Sequence, residues 1–228
     1  MKVLVIGETC VDKFLYCETN RLSPEAPVPV LNILSTTQNK GMAGNTSSNV
    51  YAIEPNAVVD EIHQLNIITK TRYVEQKSNH MFVRVDEGEE DIDCLKWGGD
   101  LKNKIINADI VIVSDYDKGF LSNYDIEMVG KLSKLSILDS KRILTNEIIK
   151  PFSFIKLNES EIKLGQSLIE LFNNYGNIFI GNDNNKFNKN IILLSLREMT
   201  NLSTKEIRLY LKKYKNLYLI TLEKIKKE

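Results

Sequence analysis

The chain has 228 residues, and 43% of them are hydrophobic, which is enough for one sizeable core with a small appendage. Its 30 Lys and Arg residues balance 30 Asp and Glu residues, so the formal net charge is zero and argues against a general attraction to nucleic acid or anionic lipid. No apolar stretch approaches the roughly 20 residues that a membrane-spanning helix needs.

The cysteines and histidines bear on the cellular compartment and on metal binding. Three cysteines occur without close spacing: Cys10, Cys17 and Cys94. An odd number of widely spaced thiols favours a reducing compartment. His63 and His80 have no matching ligand pairs, so we expect no metal site built on histidine and cysteine. The N-terminus leads into a short strand rather than a leader, and we therefore expect a soluble, cytoplasmic protein.

The first element in the chain is an apolar run, Val3 to Ile6, closed by Gly7. It predicts a buried strand, and Asp12 follows a few residues later. A carboxylate just past a buried strand lies where α/β proteins bind ligands. Because a carboxylate accepts hydrogen bonds from vicinal hydroxyls, a sugar is a natural ligand. The alternative, a solvated loop aspartate, is the commoner situation for a lone Asp.

The segment from Arg21 to Val30, RLSPEAPVPV, contains three prolines. Proline removes backbone donors and blocks helix, so we expect an extended segment at a sheet edge. Lys13 to Tyr16 and Val28 to Ile33 are predicted as strands of a small sheet.

A glycine cluster, GMAGN, occupies residues 41–45 and precedes a helix predicted to open near Thr46. Glycines let the backbone approach a ligand closely, and a helix N-terminus offers free N–H groups. A lone GxxGN is usually an ordinary turn. Its position after the proline-rich segment is what favours a ligand-binding role.

Taken in this order, these motifs resemble the ribokinase-like (PfkB-type) carbohydrate kinases, and within them the heptose 7-phosphate kinases that feed ADP-heptose synthesis. The resemblance covers residues 5–49, 114–119 and 158–161, within roughly the first 160 residues of the chain. It implies an α/β fold with a mostly parallel sheet, helices on both faces and a small β lid. It also implies ATP and Mg²⁺ as cofactors and a small-molecule sugar phosphate as substrate.

The resemblance also implies which residues bind the sugar and what the lid does. The residues it assigns to the sugar are Asp12, Gly41, Gly44, Asn45 and Asn49. Met42 replaces the second glycine of the commoner family pattern, which bears on the shape of the pocket. Lid strands are expected within about 13–35 and 67–86, as part of one partial domain over residues 1–228. In the resembling kinases this lid covers the sugar and often forms a homodimer surface.

Residues 51–66 depart from the family, which has further strand–helix units at this place. The chain passes directly to residues 67–74, a predicted strand with 81–86 as its hairpin partner. An internal deletion of this kind would expose a sheet edge. The acidic turn at 88–91 is interpreted as a solvated loop, with cation binding as the less common alternative.

Residues 108–113, ADIVIV, predict a central parallel strand because they are apolar on both faces, and a helix is predicted near 100–107. The strand runs into SDYDKG at 114–119, which resembles the family's S-D-Y-x-K-G. Lys118 can neutralise a phosphate, and Asp115 can bind a hydroxyl or orient Lys118. The alternative interpretation of this stretch is a charged turn.

A crossover helix is predicted over 123–135, with strands at 136–139 and 152–157. Asp139-Ser140-Lys141 resembles the family's Asp-Pro-Lys, and the resemblance assigns Asp139 and Lys141 to the phosphates and nucleotide. Here Ser140 and Arg142 stand where the family usually has Pro and Gly.

Asn158 and Glu161 match the family's N-x-x-E at the predicted start of a helix. In the resembling kinases this pair organises Mg²⁺, partly through water, and Mg²⁺ favours few carboxylates plus water. On its own the motif usually reflects helix capping. Farther along, we predict a strand at 177–180, a helix at 204–214 and a strand at 216–222.

The family's Asp-Thr-x-Gly-Ala-Gly-Asp stretch, whose last Asp is the catalytic base, has no match among the 11 glycines of this chain. We therefore assign no catalytic residue and expect a shortened or partial sugar kinase. One hypothesis is an ATP-dependent kinase for a sugar or sugar phosphate such as heptose 7-phosphate. The others are an inactive sugar-binding or regulatory module and a truncated product that folds poorly.

Overall fold

The structure, a computed structural model, describes residues 1–173, 189–212 and 214. The chain divides into two compact units, residues 1–156 and 157–228, and each is described by itself. No helix within the described part of the chain is long and apolar enough to cross a membrane.

A five-stranded sheet forms the centre of the first unit, and all its neighbouring strands are parallel. In spatial order its strands are β4 (Val58–Ile62), β1 (Lys2–Gly7), β7 (Ile110–Asp115), β8 (Ser136–Ser140) and β9 (Phe154–Ile155). The strands predicted from the apolar runs at 3–6, 108–113 and 136–139 are confirmed. The strand predicted at 152–157 is shorter, with only two residues paired to β8.

The sequence analysis did not predict β4. It is a short outer strand, VVDEI, in which two acidic residues interrupt the apolar ones and none of the five residues is fully buried. Its parallel pairing with β1 runs from Lys2 opposite Val58 to Ile6 opposite Ile62. The segment at 51–66 therefore contributes a sheet strand, although the resemblance to the family fails there.

Helices cover both faces of the parallel sheet, as expected. On one face α1 (Ala43–Ile53) packs through Ala43 and Val50 against Val3 and Val5 of β1. On the other face α2 (Gly99–Asn107) and α3 (Asn123–Leu132) bury Ile105 and other apolar residues against β1 and β7. A short helix, α4 (Asn146–Ile149), precedes β9. Burial of these apolar side chains is the main force that holds the unit together.

A four-stranded lid sheet makes up the rest of the first unit. In spatial order its strands are β3 (Pro29–Met42), β2 (Thr9–Leu22), β5 (Ile68–Glu75) and β6 (Met81–Glu87). The predicted hairpin of 67–74 with 81–86 is confirmed by the antiparallel pairing of β5 and β6. β2 runs parallel to β5 and antiparallel to β3.

The proline-rich segment is only partly extended, so that prediction is corrected. Residues 23–28 form the turn between β2 and β3, where the N–H of Ser23 donates to the carbonyl of Val28 at 2.8 Å. Pro29 is the first residue of β3, which is an edge strand. Turns, strand starts and edges are the places where a missing proline N–H costs no ladder hydrogen bond.

The second unit is helical where the structure describes it. It contains α5 (Glu159–Asn173), α6 (Lys189–Thr200) and α7 (residues 204–212). Their apolar sides meet around Leu164, Leu171, Leu193, Leu196 and Ile207. The helix predicted at 204–214 is present, whereas α6 was not predicted. The strands predicted at 177–180 and 216–222 lie outside the described residues.

Candidate sugar site

The candidate site lies at the carboxyl ends of β1 and β7, where the lid sheet begins. β1 ends at Gly7 and β2 starts at Thr9, so one residue separates the parallel sheet from the lid. Cys10, Met42 and Ile68 of the lid form a buried cluster with Tyr116, which follows β7. The crevice at the carboxyl ends of parallel strands is the usual ligand position in α/β proteins.

Glu8, the residue between β1 and β2, anchors the loop that follows β7. Its side chain is fully buried. Its Oε2 accepts the N–H of Tyr116 at 2.8 Å, and its Oε1 accepts those of Lys118 at 3.1 Å and Phe120 at 3.3 Å. Hydrogen bonds to an ionised acceptor are stronger than neutral ones. Glu8 therefore fixes the backbone of the loop that carries Lys118.

Gln64 holds the first residue of the lid from the other side. The N–H of Thr9 donates to Gln64 Oε1 at 3.0 Å, and Gln64 Nε2 donates to the carbonyl of Thr9 at 2.6 Å. The Gln64 side chain is fully buried and follows β4. Residues 51–66, where the resemblance to the family fails, thus contain a side chain that fixes the start of β2.

Asp12 lies inside β2 rather than in a loop, so the alternative of a solvated loop aspartate does not hold. Its Oδ1 accepts a hydrogen bond from Arg72 Nη1 at 2.6 Å, and a quarter of the side chain is exposed. Arg72 comes from β5, next to β2. The ion pair holds the Asp12 carboxylate beside the Arg72 guanidinium on the lid sheet, and its assignment to the sugar stays a prediction.

Gly41 lies beside Asp12, where there is little room for a side chain. A Cβ atom at this position would overlap Asp12 Oδ2 and Cys10 Sγ. Burial, followed by the nearby charge of Asp12, raises the pKa of the Cys10 thiol above its usual value. The glycine therefore makes room for the Asp12 carboxylate, which gives a physical reason for this part of the motif.

The other residues of the glycine cluster lie at the start of α1. The helix begins at Ala43, earlier than predicted, and the N–H of Ala43 donates to the carbonyl of Glu8 at 2.8 Å. Gly44 is buried beside Thr9, whereas Asn45 and Asn49 are exposed on the helix. The assignment of these residues to the sugar stays a prediction.

Asp115 ends β7 and is held by a neighbouring arginine. Arg142 Nε donates to Asp115 Oδ2 at 2.8 Å and Arg142 Nη2 donates to Oδ1 at 3.2 Å. Ser140 Oγ donates to the same Oδ2 at 2.5 Å, and the Asp115 side chain is buried. Ser140 and Arg142 are the two residues that depart from the family's Pro and Gly. Their function here is to neutralise and orient Asp115.

The Lys118 side chain is paired with an acidic residue. Its Nζ donates to Glu89 Oε2 at 2.6 Å, and Lys70 Nζ of β5 donates to Glu89 Oε1 at 2.9 Å. Hydrogen bonds from Lys118 and Lys70 hold the pKa of the Glu89 carboxyl below its usual value. The acidic turn at 88–91 is largely exposed, as interpreted, but its Glu89 also links the lid to the loop after β7.

Of the two residues predicted to face the phosphates, Asp139 lies near the end of β8 and Lys141 directly follows the strand, and both lie near Tyr116. Asp139 Oδ2 accepts a hydrogen bond from Lys156 Nζ at 2.6 Å, which raises the pKa of Lys156. Lys141 Nζ lies 5.6 Å from the centroid of the Tyr116 ring, within the range of a cation–π contact. The structure thus places a cation and a carboxylate at the carboxyl end of the sheet.

Asn158 and Glu161 belong to the second unit, at the start of α5. Asn158 Oδ1 accepts the N–H of Ser160 at 3.0 Å, which is the capping interaction that was the alternative interpretation of the motif. The carbonyl of Glu161 accepts the Tyr214 hydroxyl at 2.8 Å. Among the residues that the structure describes, no group of three or more His, Cys, Asp or Glu side chains could hold a metal ion.

Sequence reasoning missed four residues that build this site, namely Glu8, Gln64, Glu89 and Arg142. A glutamate between two strands gives no sign in the sequence that it is buried. Glu8 and Phe120 are 112 positions apart, and such a pairing follows from the topology rather than from any local pattern. Arg142 was the one residue with a usable signal, because it replaces a glycine of the family pattern.

An α/β unit with a parallel sheet covered on both faces, joined at the carboxyl ends of its strands to a β lid, defines the ribokinase-like class. The chain belongs to the ribokinase-like (PfkB-type) carbohydrate kinase family, and within it is similar to the HldE proteins.

Two curated relatives illustrate the similarity. The bifunctional protein HldE of Helicobacter pylori (strain HPAG1) is 31% identical over 187 residues, which cover 67% of this chain and 38% of that protein. HldE of Desulfatibacillum aliphaticivorans is 29% identical over 164 residues, which cover 58% of this chain and 33% of that protein. The chain thus aligns with between 33% and 38% of the length of these two relatives. No family model matches it.

Solved structures show distant similarity. Ribokinase from Thermotoga maritima covers 92% of this chain and 68% of its own, with a TM-score of 0.45 and 12% identity. A carbohydrate kinase from Agrobacterium tumefaciens covers 68% of this chain and 59% of its own, with a TM-score of 0.46 and 12% identity. At these scores no residue role is transferred from either structure.

Proposed function

We propose that this chain binds a sugar phosphate between its lid and the carboxyl ends of β1 and β7, and that it serves ATP-dependent phosphorylation of that sugar. The observation that carries the proposal is the partly exposed Asp12 carboxylate, oriented by Arg72 and fitted against Gly41. A fixed carboxylate on a lid face can accept hydrogen bonds from two sugar hydroxyls.

The proposed substrate is heptose 7-phosphate, the sugar that the sequence resemblance implies. The surroundings of Asp12 suit an anionic sugar, because Lys70, Arg72 and Arg84 lie on the same face of the lid strands. Cationic side chains neutralise a phosphate and give it a fixed orientation.

ATP and Mg²⁺ are the proposed cofactors. Asp139 and Lys141 are the residues proposed for the phosphates. Separately, Asn158 and Glu161 are the residues proposed for Mg²⁺, because their side chains carry the oxygen atoms that this ion prefers. Because Mg²⁺ keeps several waters, such a small set of donors fits it. When bound, the metal would neutralise charge on the transferring phosphate.

The activity is tested by ADP release with Mg²⁺·ATP and a panel of heptose 7-phosphate, fructose 6-phosphate and ribose. We expect release that depends on heptose 7-phosphate and falls at least about 100-fold in Asp12→Ala, since substrate positioning can supply that much rate. Asp60→Ala, on the exposed outer strand β4, is the matched control and should retain activity.

Folded protein that releases no ADP with any of these sugars would refute the kinase proposal. The alternative, a non-catalytic sugar-binding or regulatory module, would then be supported if heptose 7-phosphate still raised the melting temperature.

A homodimer through the lid and a cytoplasmic location are further proposals. Met81, Val83 and Val85 of β6 are large apolar residues that are more than two-fifths exposed, as a lid–lid contact would need. Light scattering should give the mass of two chains, and the mass of one chain would contradict this. The three cysteines are free, which agrees with a reducing compartment.

A further inference from the structure

A single carboxylate joins two lysines that come from separate parts of the first unit. Lys70 belongs to β5 in the lid, and Lys118 belongs to the loop after β7. Glu89 lies between them, 2.9 Å from Lys70 Nζ and 2.6 Å from Lys118 Nζ. The two ammonium groups are placed so that they can bind an anion between them, and here the anion is the carboxylate of the protein's own Glu89.

The three side chains are partly shielded from water. The exposed fraction is 11% for Lys70, 33% for Lys118 and 26% for Glu89. Like charges attract a common counter-ion more strongly where water is partly excluded. Lys70 also lies 3.9 Å from Asp86, but this contact is too long for a hydrogen bond. Glu89 is therefore the main partner of both lysines.

The charges around this site leave an excess of cations. Strand register brings Lys70 opposite Asp12 and Asp86, and Arg72 opposite Arg84. With Lys118 and Glu89 the group has four cations and three carboxylates, a net charge of +1. Removing Glu89 leaves +2, which a phosphomonoester with a charge of about −2 would balance.

We propose that Lys70 and Lys118 form the binding site for the phosphate of a phosphomonoester, and that Glu89 occupies this site until the phosphate displaces it. The inference rests on the proposed function, because it assigns the anionic end of the substrate to particular residues of that crevice. The inference adds that Glu89 competes with the substrate for the two lysines. An unphosphorylated sugar has no negative charge with which to replace the Glu89 carboxylate. Glu89 is thus a residue that selects sugar phosphates over sugars.

Displacement of Glu89 also removes a link between two parts of the unit. Glu89 follows β6 of the lid, and Gly88 before it has a φ of 80°, a conformation that glycine adopts without strain. While the ion pairs persist, the turn after the lid is held to the loop of Lys118. Binding of a phosphate at the two lysines would release that turn.

The test is calorimetric titration of the full chain with inorganic phosphate, without ATP or sugar, at a fixed ionic strength set with chloride. Glu89→Gln keeps the size of the side chain and removes its charge. We expect it to bind phosphate about tenfold more tightly than the natural chain. The matched control Glu90→Gln, which changes the exposed neighbouring glutamate, should bind like the natural chain.

A second variant keeps the test decisive. Adding Lys118→Met to Glu89→Gln should abolish the tenfold gain, because one of the two cations is lost. Phosphate affinity that is unchanged or weaker in Glu89→Gln would overturn the proposal, as would a gain that survives Lys118→Met. Since no ATP is present, the phosphate titration is independent of turnover. ADP release by a protein whose Glu89→Gln variant shows no tenfold gain in phosphate affinity would reject the phosphate site alone. A tenfold gain in phosphate affinity without ADP release would reject the kinase activity alone.

Discussion

Replacing Glu8 with alanine should cause a large loss of stability. The substitution leaves the N–H groups of Tyr116, Lys118 and Phe120 without their acceptor, and of these three residues Phe120 is buried and the other two are partly buried. Each unsatisfied buried donor costs about 1–3 kcal/mol, so we expect the free energy of unfolding to fall by roughly 3–6 kcal/mol. Most small domains have only about 5–15 kcal/mol in total, and Glu8→Ala should be barely folded at room temperature. Urea denaturation followed by circular dichroism measures the change.

The comparison with two further variants separates the charge of Glu8 from its shape. Glu8→Gln keeps one carbonyl oxygen as an acceptor, and we expect it to lose roughly half as much stability. Glu25→Ala is the control, since Glu25 is exposed in the turn between β2 and β3. If the free energy of unfolding of Glu8→Ala lies within about 1 kcal/mol of that of the natural chain, Glu8 does not anchor the loop.

The second large effect is expected for Arg142→Ala. This change leaves the Asp115 carboxylate buried without its cation, and removing one member of a buried ion pair costs about 3–5 kcal/mol. Arg142 also donates to the carbonyl of Leu121, so the loop after β7 loses a second contact. We expect a lower urea midpoint and, in the same variant, weaker binding of heptose 7-phosphate, because the loop that carries Lys118 is no longer fixed.

A double-mutant cycle identifies the cause. In Asp115→Asn the buried charge is absent, so adding Arg142→Ala to it should cost about 2 kcal/mol less than adding it to the natural chain. Arg21→Ala, an exposed arginine at the end of β2, controls for the loss of a positive charge. Equal effects of Arg142→Ala in both backgrounds would show that the Asp115–Arg142 pair is not what stabilises this region.

Much of the fold could be predicted because buried parallel strands have a strong sequence signature. The apolar runs in β1 and β7 are covered on both faces by helices, and such strands are recognisable without knowledge of their neighbours. β4 has a weaker pattern because it pairs with β1 alone, and its Val58 is largely exposed. Short edge strands owe their position to the partner strand rather than to their own composition.

Only those residues of the candidate site that belong to short sequence motifs could be predicted. Gly41 and Asp12 were assigned by resemblance, and their close contact gives a physical reason for that motif. The contacts of Glu8, Glu89 and Arg142 join residues far apart in the sequence, and a sequence pattern contains no information on such pairings. Glu89 shows this most clearly, because an acidic turn alone gives no indication of the two lysines that meet it.

The most direct test of the account is calorimetric titration of the full chain with heptose 7-phosphate in the absence of ATP. The account predicts one binding site per chain, and at least about tenfold weaker binding in Asp12→Asn, which keeps the size of the side chain and removes its charge. Melting curves of both proteins would show that each is folded. Heptose 7-phosphate that does not bind to the folded natural chain, or that binds Asp12→Asn equally well, would contradict the assignment of this crevice to a sugar phosphate.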